Sequence, residues 1–85
     1  PFVGTSLDPT LRALGVSTVV ATGVSLNLGI IGLAVEAVDL GYRVVVATDA
    51  VAGIPSSFAD DVLRHTIGLV ATLAPVDAII AALVT

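Results

Sequence analysis

No cysteine occurs in this chain. That removes disulfides, thiolate metal ligands and a cysteine nucleophile together, and it leaves the redox compartment open. Lysine is absent too. The basic complement is Arg12, Arg43 and Arg64, set against six aspartates and one glutamate, for a net charge of −4. So little positive charge cannot neutralise a run of phosphates, and a nucleic-acid partner is not expected. The lone histidine, His65, belongs to no CxxC or HExxH pattern. Neither a structural metal nor a cofactor is expected from this chain. No basic segment leads into an apolar stretch, so no signal peptide is recognised.

What the chain has is apolar sequence: 56% of its 85 residues are hydrophobic and the mean hydropathy is +1.12. A domain this small buries only about 60% of the surface its unfolded chain exposes. Some of the apolar sequence is therefore expected to pack against something outside the chain. Together with Pro1-Phe2-Val3 at the start, this reads as part of a larger domain, completed by an N-terminal half or by a partner chain. Ala13 to Val35 carries no charge and is long enough to span a bilayer. Gly15, Gly23, Gly29 and Gly32, with Ser25 and Asn27 between them and no basic flank, argue instead for a strand, a turn and a helix. No membrane association is expected, and a cytoplasmic location is.

Asp8-Pro9 reads as a helix start, a capping carboxylate before a ring fixed at helical φ, with the helix Pro9–Leu14 closed by Gly15. Val16 to Ala21 is β-branched and apolar on both faces, as a central parallel strand is. A helix from Ser25 to about Leu40 follows, closed by Gly41. Arg43–Ala47 is a second buried strand, ending at Thr48-Asp49. Beyond a loop through Gly53, Ile54 and Pro55, Ser56 or Ser57 caps a helix reaching about Ala71. A brief strand near Thr72–Leu73 and a helix Val76–Val84 close the chain. The fold class is α/β with parallel strands and right-handed crossovers. Two certain strands leave at least one bare apolar edge, so the fold asks for more.

The richest stretch chemically is Thr22-Gly23-Val24-Ser25-Leu26-Asn27-Leu28-Gly29, where a strand hands over to a helix at the carboxyl end of the sheet. Ligands of open α/β sheets bind at that end, and helix N-terminal amides there favour developing negative charge. An ordinary βα turn using glycine for freedom accounts for the spacing as well. Ser25, Gly29, Gly32 and Glu36 fall at steps of four, three and four, a stripe of small or polar residues on an apolar helix. It reads as a ligand approach or as a packing groove, with Glu36 solvated or paired to an arginine. Asp49 closes a strand at the cleft end. It either orients a ligand or ties down the next loop through backbone amides. Asp61 and His65, one helical turn apart, form a pair or a solvated face. Tyr42 and Arg43 belong at the opposite end of the sheet.

Phe2, Gly4-Thr5, Leu7, Leu11-Arg12, Gly15 and Thr18-Val19-Val20 resemble the helix and strand before the active-site turn of the isochorismatase-like hydrolase superfamily. Thr22-Gly23-Val24-Ser25-Leu26-Asn27-Leu28-Gly29 resembles that superfamily's Thr-Gly-Val-x-x-Asn-x-Cys nucleophile turn. Glu36-Ala37, Leu40-Gly41-Tyr42, Val44-Val45-Val46 and Asp49-Ala50 continue the match without a gap. The resemblance implies the second half of a Rossmann-like three-layer α/β/α sandwich, with the catalytic Asp and Lys outside these residues. It also implies a cis peptide at Val24–Ser25 and substrate contact or an oxyanion hole at Val24, Ser25, Asn27, Leu28 and Gly29.

The usual cysteine position falls on Gly29, so acyl transfer through a thiol is excluded. The true isochorismatases, which hydrolyse a vinyl ether and release pyruvate, also carry glycine there. Their turn shows histidine where this chain has Asn27, while Asp49-Ala50-Val51-Ala52 resembles their Asp-Ala-Val-Ala run. Two readings follow. One is a cysteine-independent hydrolase acting on a small molecule with an acid supplied from outside the chain. The other is a catalytically inactive structural or interaction subunit. The apolar helix Leu26–Leu40 suits homo-oligomerisation through that face.

Overall fold

The computed structural model describes residues 1–83. The elements run α1 (Leu7–Ala13), β1 (Thr18–Val24), a π-type turn Leu26–Ile30 leading into α2 (Ile31–Asp39), β2 (Arg43–Ala52), α3 (Ser56–His65), a 3-10 turn Ile67–Leu69, β3 (Thr72–Ala74) and α4 (Val76–Leu83). Their order is the expected one, and Gly15 and Gly41 close their helices at φ 77° and 92°. Val84 of the expected last helix lies outside the described residues. Among those residues no helix is long and apolar enough to cross a membrane.

Several boundaries differ from the sequence reading: β1 opens at Thr18 and not Val16, Pro55 and not Ser56 or Ser57 stands at the cap of α3, and four more differ for a local reason. Helix α1 opens at Leu7, with Ser6 before it, so Asp8 is a first-turn residue and not the cap. Its carboxylate is taken by Tyr42, whose hydroxyl donates to it at 2.6 Å. Strand β1 continues past Ala21 to Val24 because Gly23 sits at φ 113°, which a glycine adopts without strain. Strand β2 likewise continues past Ala47 to Ala52, since pairing resumes beyond an irregularity between Ala21 and Gly23. Helix α3 stops at His65 rather than near Ala71. The tighter turn that follows drives Ile67 fully into the core.

The sheet has the order β1-β2-β3 and is parallel throughout. Thr18 to Ala21 pair with Arg43 to Val46 in register, and Gly23 and Val24 then pair with Val51 and Ala52. The strand expected at the centre, β1, is an edge in this chain, and β2 is central. The outer surface of β1 accordingly stays open, with Val20 and Val24 43% and 76% exposed. One sheet face, presenting Ala21, Val44 and Val46, packs against Leu26, Ile30, Ala34 and Ala37 of the second helical segment, and against Ala59 and Val62 of α3. The other face, with Val20, Val45 and Ala74, borders an apolar cleft of about 270 Å³ whose far side is α4, at Ala78, Ile79 and Ala82. Helices on both faces of a parallel sheet make this an α/β fold.

The amino ends of the strands are held by a compact knot. Phe2 stacks on Tyr42 with ring centroids 5.8 Å apart, and the Arg12 guanidinium lies 4.0 Å over the same phenol ring. Arg12 also donates to the Leu40 carbonyl at the end of α2, so one side chain ties α1, α2 and the start of β2 together. Burial raises the pKa of the Tyr42 phenol above its ordinary value, and the hydrogen bond to Asp8 adds to this, while Arg12 acts in the opposite direction.

Two predictions follow from this packing. The folded state holds the Tyr42 proton to higher pH than the unfolded chain does, so its stabilisation is intact below the unfolded pKa of about 10 and is lost as pH rises through the folded value. Tyrosinate absorbance of Tyr42, the single tyrosine here, is expected to appear at higher pH in native than in denatured protein, and Asp8→Ala is expected to lower the native midpoint. The second concerns Gly53, where an added Cβ meets Asn27 Oδ1 at 2.8 Å, the Ala59 Cβ at 2.9 Å and the Leu26 Cβ at 3.2 Å. Gly53→Ala is expected to cost about 1–3 kcal/mol by overpacking, read from a urea midpoint shifted without a change in slope.

Candidate functional site

Where β1 ends, the chain must turn from a pleated strand into a helix, and the Val24–Ser25 peptide bond there is cis, as the resemblance implied. Ser25 is extended, at φ −94° and ψ 134°. Its carbonyl accepts from two amides, Leu28 N at 3.3 Å and Ile30 N at 3.0 Å. The second bond reaches back five residues, which widens the first turn into a π-type turn. Leu26 and Ile30 point into the core, while Leu28 is 75% exposed. Five of the residues singled out from the sequence, Val24, Ser25, Asn27, Leu28 and Gly29, thus lie together in one turn at the carboxyl edge of the sheet.

Side-chain bonds extend the turn outward. Ser25 Oγ donates to Asn27 Oδ1 at 2.8 Å, and Asn27 Nδ2 donates to the Ile54 carbonyl at 3.2 Å. The loop that receives this bond contains a second cis peptide, at Ile54–Pro55. Beside it a cavity of about 170 Å³ is lined by Leu26, Thr48, Val51, Gly53, Ser56 and Asp60, among others. A larger space of about 530 Å³ lies at the opposite end of the sheet, around Thr18, Arg43 and Thr72. The turn carries polar groups and backbone amides at the carboxyl edge, where ligands of parallel sheets bind, and the smaller cavity meets it at Leu26, so the turn itself is the candidate site.

At Gly29 an added Cβ would find only the Val24 carbonyl oxygen, at 3.9 Å, an ordinary contact. Neither a positive φ nor crowding requires glycine at this position. The stripe that runs on from it divides. Gly32 has nothing within 4 Å of an added Cβ. Glu36 is neither solvated alone nor paired with an arginine: its Oε1 accepts from Val3 N at 2.9 Å, pinning the N-terminal segment to α2.

Asp49 lies in the stretch of β2 between its two zones of pairing with β1. Its Oδ1 accepts from Val76 N at 2.8 Å, so it anchors the start of α4, and this supports the tie-down reading of that residue. Asp61 and His65 are both exposed on α3 and form no ion pair with each other among the described residues. Tyr42 and Arg43 open β2 at the end away from the turn, as expected. Sequence reasoning did not foresee the contact between the turn and the Gly53–Pro55 loop. The Gly-Ile-Pro triplet marks a loop, but nothing in it says which other loop it meets.

Comparison with known proteins fits this geometry. The isochorismatase domain matches residues 1–78. The isochorismatase family protein YecD of Escherichia coli O157:H7 is 33% identical over 82 residues, covering 96% of this chain and 44% of that protein. Among solved structures, an isochorismatase-like hydrolase from Alkaliphilus metalliredigens is 30% identical with a TM-score of 0.89, over 95% of this chain and 45% of that one. A pyrazinamidase/nicotinamidase from Streptococcus mutans UA159 is 38% identical with a TM-score of 0.71, over 86% of this chain and 41% of that one. In each case this chain spans less than half of the relative's length. A parallel α/β sheet that ends in this turn, matched over nearly all of the sequence, places the chain in the isochorismatase family.

Proposed function

We propose that the complete protein is an isochorismatase-type hydrolase that works without a cysteine, cleaving a vinyl ether of a small molecule by addition of water. One observation carries the reading: packing leaves room for a side chain at Gly29, the residue that the resemblance sets at the usual nucleophile position. A missing side chain at the carboxyl edge of a parallel sheet leaves space for substrate where ligands of such sheets bind. Protonation of a vinyl ether followed by attack of water needs no covalent intermediate, so the thiol is dispensable. The turn Val24–Gly29 would contact the substrate. An aspartate from the part of the domain outside this chain would act as general acid, and no cofactor enters the scheme. The open edge of β1, with Val20 and Val24 exposed, is proposed to receive the strands of that N-terminal half. The proposal further includes a cytoplasmic protein that assembles with its own copies.

The second reading, an inactive structural or interaction subunit, is favoured by the same glycine and by Asn27 standing where the ether hydrolases carry histidine. An assay of the full-length protein on isochorismate and on nicotinamide separates the two. The hydrolase reading expects pyruvate release from isochorismate and silence on the amide. Gly29→Cys is expected to fold normally, gaining a few tenths of a kcal/mol from helix propensity, and to acquire amide hydrolysis above background. A well-folded protein silent on both substrates, whose Gly29→Cys form is also silent, would establish the inactive subunit instead.

A further inference from the structure

The hydrogen bonds around Asn27 have a direction that can be worked out atom by atom. The Ile54 carbonyl has no proton to give, so the group facing it must be the Asn27 amide nitrogen, which donates at 3.2 Å. That orientation turns Asn27 Oδ1 toward Ser25, and an amide oxygen only accepts. The Ser25 hydroxyl must therefore be the donor, at 2.8 Å. The Ile54 carbonyl thus sets, through Asn27, where the Ser25 proton points. The same residue joins two loops far apart in sequence, one following β1 and the other following β2. Gly53 is the only residue type that lets them approach this closely, since a Cβ there would lie 2.8 Å from Asn27 Oδ1.

We propose that Asn27 is a positioning residue that latches the Val24–Gly29 turn to the Gly53–Pro55 loop and commits the Ser25 proton to the latch. Ser25 Oγ then serves the site as a hydrogen-bond acceptor and not as a nucleophile, because its proton is held by an amide oxygen too weakly basic to remove it. Asn27 itself touches no reacting atom. It acts through Ser25, whose carbonyl collects the Leu28 and Ile30 amides and so sets the shape of the turn. The inference rests on the hydrolase reading only in treating this turn as the place where substrate is met.

Hydrogen exchange on the full-length protein tests it without any substrate. In Asn27→Ala, the segments 24–30 and 52–56 are both expected to lose protection, by roughly five- to tenfold, the equivalent of one ordinary hydrogen bond. Acceleration confined to one segment, or in neither, would overturn the latch. Asn27→Asp supplies the control that a general loss of packing cannot imitate. At neutral pH its carboxylate accepts from Ser25 but cannot donate to Ile54, so protection in both segments falls. As pH drops and the carboxyl takes up a proton, its hydroxyl donates to Ile54 while its carbonyl oxygen accepts from Ser25, and protection returns. The parent protein shows no such recovery over the same range. A flat profile for Asn27→Asp would sink the proposal, and this comparison still decides it if Asn27→Ala does not fold. A protein inactive on every ether but showing the latch would defeat the hydrolase reading alone. An active protein with unchanged protection in both variants would defeat the latch alone.

Discussion

Parallel pairing between β1 and β2, interrupted near Gly23 and then resumed at Val51 and Ala52, sets the geometry of the whole carboxyl edge. Ala21 and Gly23 are two positions apart in β1, while their partners, Val46 and Val51, are five apart. The surplus in β2 carries Asp49 out of the pairing with β1 and toward α4, whose first amide it holds. The renewed pairing then delivers both strands to the same edge together. Their following loops consequently meet, and Asn27 can reach Ile54.

The two ends of the sheet are held by different physics. At the amino ends, an aromatic pair, a guanidinium and a carboxylate form a knot that joins α1, α2 and β2. Asp8, Arg12 and Tyr42 are partnered within that knot. At the carboxyl edge the bonds are fewer and the backbone is irregular, with two cis peptides and a π-type turn. Irregular backbone above a regular sheet is where α/β proteins place their binding groups.

Gly29 is the residue at which the proposed function meets the fold. It stands on a helix, unforced by conformation and uncrowded by neighbours, in a chain that the isochorismatase domain matches over residues 1–78. Glycine in the first turns of a helix lowers helix stability relative to most other residues. Its presence without a packing need is consistent with space kept for something else. The exposed apolar edge of β1 points the same way. Val20 and Val24 stand in the open on that strand, at the edge proposed to receive the N-terminal half.

Periodicity and turn chemistry by themselves determined the element order and the parallel α/β class, and they nominated the turn after β1 as the candidate site. The reason is that these depend on neighbours in sequence: β-branched runs for strands, glycine at helix ends, a Gly-Val-Ser-x-Asn stretch between a strand and a helix. Tertiary structure decided what depends on distant partners. Whether Asp8 capped α1 or served Tyr42 rested on where β2 began. Whether Asp49 faced a ligand or α4 rested on the irregular pairing of β2. The ends of β1 and β2 moved outward because pairing resumed after an irregularity that no local pattern announces. Asn27 acquired a defined hydrogen-bond direction only because the fold set a carbonyl 27 residues away against it. A side chain's type is written in the sequence, but its partner is chosen by packing.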